Sequence, residues 1–88
     1  MTSANKILKP EEYAAMHKAA FRVAFDFLNA HFPPGEGYDW WIQVAKDADT
    51  ASMQQGENKL VIGMLAGIMD YLQDEWKKRR ALDEQTDN

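Results

Sequence analysis

His17 and His31 are the side chains of this sequence best suited to moving a proton or holding a metal. An imidazole titrates nearest to neutral pH and is the commonest nitrogen ligand for metal ions. Fourteen residues separate the two, about 21 Å along the axis of one helix, so they cannot share a metal there. Neither has a histidine or a carboxylate at i+4 on its own face. His17 neighbours Tyr13 and Phe21 at helical spacing, a setting for a partly buried, hydrogen-bonded ring. Among the carboxylates, Asp39, Asp47 and Asp49 share no helical face, and Asp70 with Asp74 makes a solvated i,i+4 pair. No nucleophile–base arrangement, phosphate-cradling glycine loop or metal-ligand spacing is present. The sequence therefore reads as non-enzymatic, with no catalytic residue, cofactor or metal site.

A second chemistry belongs to Lys77, Lys78, Arg79 and Arg80, which could contact phosphates. The same run stands where a helix C-terminus favours positive charge, and Asp74 and Glu75 lie one turn upstream of Lys78 and Arg79. Lysine and arginine number 10 against 14 acidic residues, a net charge of −4. With four of the ten cations in that run, most of the remaining surface is acidic, the opposite of a usual nucleic-acid binder. Nucleic-acid association through residues 77–80 is the alternative function.

The chain has 88 residues and no cysteine, enough for one domain and excluding disulfides and thiolate zinc sites. Residues 1–10 carry no apolar segment of a signal peptide. The uncharged run from Leu60 to Met69 is far shorter than the roughly 20 residues that span a bilayer. A cytoplasmic protein without membrane association is expected.

Three helices must position these groups. After a flexible lead at 1–9, Pro10 suits a first helical turn, and Glu11 and Glu12 favour its dipole. Helix 1 spans 10–31, with Met16, Ala20, Val23, Ala24, Phe27 and Leu28 in one sector and Lys18, Arg22, Asp26 and Asn29 opposite. Phe32-Pro33-Pro34-Gly35 stops it. Helix 2 spans 39–55 with Asp39 as N-cap, burying Trp41, Val44, Ala45, Ala48, Ala51 and Ser52; the weak helix propensity of 47–52 predicts an irregular helix or an early end. Helix 3 spans 57–82, capped by Gly56 or Asn58, and buries Val61, Ile62, Leu65, Ile68, Met69, Leu72 and Trp76. Residues 83–88 form a frayed acidic tail. Short links favour an all-α, small antiparallel three-helix bundle, with a core of Phe21, Phe27, Leu28, Trp41, Val44, Leu65, Ile68, Met69 and Leu72.

Helix 3 carries more apolar surface than an alanine-rich helix 2 can cover. That excess points to a protein–protein interaction or assembly module, a homodimer through helix 3 being the leading form. Its candidate interface comprises Trp40, Ile42, Met53, Leu60, Met64, Gly63 and Gly67. Trp40 and Trp41 point about 100° apart on a regular helix, so one is expected in the core and the other on a flank or in solvent. Gly63 and Gly67 either admit a neighbouring helix of the same chain or mark a dimer seam.

The layout also resembles a known group. A helix, the turn Phe32-Pro33-Pro34-Gly35, a helix opened by aromatics, and an apolar helix reading from Gly67 through Trp76 to Arg79 are similar to short uncharacterised helical proteins of bacterial prophages and conjugative elements. The likeness covers about Glu11 to Arg80. It implies a bacterial mobile-element accessory protein and brings no functional residues with it.

Overall fold

Pro10 opens α1 (Pro10–His31), where its missing N–H is not needed. The Glu12 carboxylate accepts a 2.9 Å hydrogen bond from the Lys9 backbone N–H and secures that end. α2 follows as Tyr38–Gln54 and α3 as Lys59–Thr86. The computed structural model describes residues 7–86, with side chains to 83, and those residues contain no strand. The peptide between Phe32 and Pro33 is cis.

Each helix contributes a narrow apolar stripe. α1 turns Ala20, Ala24 and Phe27 inward, α2 Val44 and Ala48, and α3 Val61, Leu65 and Leu72. Spacings of three, four and seven keep these groups on one face of each helix. Val44, Val61 and Leu72 are the largest fully buried side chains; each contributes about 1.5–3 kcal/mol by leaving water. α1 packs chiefly on α3, and α2 touches α3 more lightly. Ala20 at the centre of α1 permits that close approach.

Contacts between rings set the path of the chain. His31, ending α1, meets Trp40 near the start of α2, and Trp41 meets Trp76 in the second half of α3. Phe32 stacks on Tyr71 of α3. These contacts gather the end of α1, the start of α2 and the second half of α3 at one end of the molecule.

Several expectations need correction. Phe21 is not core: it is 62% exposed, because it lies about 90° around α1 from Ala20, Ala24 and Phe27. Ile62 faces outward at 44% exposure on the flank of α3. α2 begins before Asp39: Gly37, at φ 95°, is the N-cap and Tyr38 the first helical residue. That backbone region is open to glycine, so Asp39 falls in the first turn, where its charge meets the helix dipole. α2 also stays helical through Thr50-Ala51-Ser52, since Ala48 and Ala51 anchor it to the core. α3 runs past the expected end at 82 to Thr86, so the tail begins as helix. Residues 1–6 of the lead and 87–88 of the tail lie outside the described residues.

Between α2 and α3 the chain turns on Gly56 and Glu57, both at positive φ. Their N–H groups donate to the carbonyls of Met53 and Ser52, closing the end of α2. The Asn58 side chain then accepts 2.8 Å from the Leu60 N–H and caps α3.

Candidate interaction surfaces

Of the expected interface residues, Leu60, Gly63, Met64 and Gly67 share one face of α3, and Trp40, Ile42 and Met53 belong to α2. Trp40 and Met64 are half-buried and packed against the core, and Ile42 is half-buried. Trp40 and Trp41 are both half-buried, edge to face at 4.6 Å between ring centroids, so each takes a flank of the core and neither stands out in solvent. The reason is the turn. A Cβ at Gly35 would stand 2.6 Å from the Trp40 ring, so the bare Gly35 backbone lies directly against the indole and closes one side of it. Met53 is well exposed and Leu60 marginally so. Gly63 and Gly67 are exposed, and among the described residues a Cβ on either would meet nothing within 4 Å beyond the local helix backbone. No helix of the same chain therefore requires their smallness.

The apolar surplus lies instead on two surfaces. An open cleft of about 560 Å³ separates α2 from α3, with Ala45, Ala48 and Ser52 on one wall and Ile62, Ala66 and Met69 on the other. The core residue Leu65 also lines it, and among the described residues Asp49 and Glu57 are its charged lining groups. It exists because α2 offers small side chains where α3 offers large ones. The second surface is on α1, where Phe21 and Phe25, 62% and 61% exposed, stand one turn apart beside Lys18 and Arg22. Charge patterning hid this stripe, because its aromatics border the cationic face of the helix.

The basic run at 77–80 is largely engaged within the chain. Lys78 bonds Glu75 at 3.1 Å. The Arg79 guanidinium sits 5.3 Å above the Phe32 ring, and Arg80 the same distance over Trp76. A smaller cleft of about 500 Å³ lies there, between Tyr38 and Trp41 on one side and Trp76, Lys77 and Arg80 on the other. The Trp76 indole nitrogen is buried without a hydrogen-bond partner among the described residues.

The two histidines part company. His17 is exposed and stacks on Tyr13 at 6.0 Å. His31 ties α1 to α2: Nδ1 lies 2.7 Å from the Phe27 carbonyl and Nε2 2.8 Å from Asp47 Oδ2. The carbonyl and the Asp47 carboxylate both only accept, so the ring satisfies the two at once when both its nitrogens are protonated. Asp47 Oδ1 accepts in turn from the Gln43 amide at 2.8 Å. The His31 bond, then the Gln43 bond, holds the Asp47 carboxyl below the usual carboxylate range, against a smaller opposing effect of burial. Among the described residues no three His, Asp or Glu side chains converge as a metal site would need.

Fold and surfaces together define an all-α three-helix domain with two unpaired apolar faces. No family model, curated protein or solved structure matches the chain. No described helix is long and apolar enough to cross a membrane.

Proposed function

We propose that this protein is a non-enzymatic interaction module that associates with further copies of itself through the α2-facing flank of α3. The cleft over Leu65 carries the proposal. Beside the buried Leu65 it leaves Ile62 and Ala66 exposed and Met69 half-buried, and contiguous apolar surface rimmed by polar groups is a mark of protein contact sites. Gly63 and Gly67 lie outside the cleft lining, on another face of α3. Each costs its helix roughly 1 kcal/mol relative to alanine, and packing within the chain uses neither. The likeness in layout to prophage and conjugative-element proteins fits a small accessory protein acting in a bacterial cytoplasm.

Light scattering on a sizing column, over a wide range of protein concentration, tests this reading. The expected mass exceeds that of one chain and rises with concentration. Ile62→Glu, an exposed position, is expected to return the protein to one chain. A wild-type mass of one chain at every concentration would end the proposal.

The aromatic end favours a second reading. Tyr38, Trp41 and Trp76 beside Lys77 and Arg80 combine ring faces with cations, the chemistry by which single-stranded nucleic acids are held. Binding of a labelled oligonucleotide that falls with salt, and is lost when Lys77 and Arg80 become glutamine, would establish it. Absence of binding at low salt removes it.

A further inference from the structure

We infer that the occupant of the α2/α3 cleft is the Phe21–Phe25 ridge of α1 from a second copy, so that copies join head to tail. This rests on the self-association proposed above and names the two surfaces that meet.

The two faces complement each other in shape, polarity and charge. The cleft is a concave apolar surface whose charged lining groups, Asp49 and Glu57, are both carboxylates. The ridge is a convex aromatic surface whose charged neighbours, Lys18 and Arg22, are both cations. Arg22 holds Asp26 on the far side through a 3.2 Å pair exposed to solvent, whereas Lys18 has Ala14, Ala15, Phe21 and Arg22 three and four positions away on its helix and no acid among them. Phe21 and Phe25 stand about 6 Å apart along α1. The cleft runs along α3 from Ile62 to Met69, about 10 Å, long enough to take both rings. Small groups at Ala45, Ala48 and Ala66 leave room for them.

One chain cannot satisfy itself. The ridge lies about 90–130° around α1 from the stripe that enters the core, and no α1 residue lines the cleft. Contact between two different surfaces is heterologous, so it leaves one ridge and one cleft open at the ends of any assembly and continues unless a ring closes. A symmetric dimer would instead pair one surface with its own copy.

Complementation separates these arrangements. Phe21→Glu/Phe25→Glu removes the ridge and keeps the cleft; Ile62→Glu/Ala66→Glu does the reverse. All four positions are exposed, and far-UV circular dichroism checks that each variant is folded. Each variant alone is expected at the mass of one chain. Their equimolar mixture is expected to form a species of two chains and nothing larger, because only one productive contact can form. Lys18→Glu, which keeps both rings, is expected to weaken association of the otherwise unaltered chain severalfold.

Four results would overturn the inference. If the ridge variant alone associates as the unaltered chain does, the cleft takes something else while self-association stands. If both variants dissociate but their mixture stays at one chain, the two surfaces do not meet. If the ridge variant associates normally but loses binding to anionic lipid vesicles that the unaltered chain shows, the ridge faces a membrane surface. A wild-type protein that never associates ends this inference together with the reading beneath it.

Discussion

His31 Nε2 and Asp47 Oδ2 stand 2.8 Å apart, joining the last turn of α1 to the middle of α2. With Nδ1 donating to the Phe27 carbonyl, the ring can donate to both acceptors at once only as an imidazolium. When the ring is neutral, its single proton serves one acceptor, and the charge-assisted bond to Asp47 is the stronger of the two. Nitrogen NMR is expected to show the Nε2–H tautomer for neutral His31, whereas exposed His17 has no such constraint in its contacts. A neutral His31 protonated on Nδ1 would show that the Phe27 carbonyl, and not Asp47, sets the tautomer.

Asp47→Asn is expected to cost at most about 1 kcal/mol, since the bond to Asp47 is a single charge-assisted contact. The Asp47 side chain is 41% exposed, so solvent screening reduces its worth. His31→Ala also removes a ring packed 4.3 Å from Phe27, and is expected to cost about 1–3 kcal/mol. Urea denaturation at neutral pH ranks the two.

Acid should expose the same contact. The folded Asp47 carboxyl has its pKa lowered, so its contribution is complete above the unfolded value of about 3.9 and is lost as pH falls through the folded value. Between about pH 5 and pH 2, the urea midpoint of the unaltered chain is expected to drop further than that of Asp47→Asn. Parallel curves would show that the bond does not couple to folding.

Glycines in two settings should answer oppositely to alanine. Gly35→Ala drives a methyl into the Trp40 ring, with an expected loss of about 1–3 kcal/mol. Gly63→Ala and Gly67→Ala meet open space in a helix interior, with an expected gain of about 0.5–1 kcal/mol each in the dissociated chain. Thermal melts at low protein concentration test both signs.

Core and surface aromatics should also separate. Leu72→Ala empties a fully buried site and is expected to cost about 2–5 kcal/mol. Phe21→Ala, at 62% exposure, is expected within about 0.5 kcal/mol of neutral. Equal losses would return Phe21 to the core.

The three helices were legible because Pro10, the Phe32–Gly35 turn and Gly56–Asn58 punctuate them and their apolar periods are clean. Asn58 was a readable cap. The inner surface was less so. Hydrophobic size pointed to Phe21, but its angle around α1 left it outside while Ala20 and Ala24 took the interior. Gly37 displaced Asp39 as the cap because a φ of 95° is a property of the backbone path, which no spacing rule encodes. The partnership of His31 with Asp47 crosses a turn and 16 positions, so helical spacing could not reveal it. The cleft arises from how far α2 stands from α3, a tertiary distance that residue types only hint at.

All three tryptophans lie in one chain of ring contacts, Trp40 to Trp41 at 4.6 Å and Trp41 to Trp76 at 6.4 Å. Indole emission therefore reports on one end of the molecule alone. The opposite end, where α1 begins and α2 passes into α3, contributes backbone signal and little else. A fluorescence transition that precedes or follows the far-ultraviolet one would thus measure opening of the two ends as separate events.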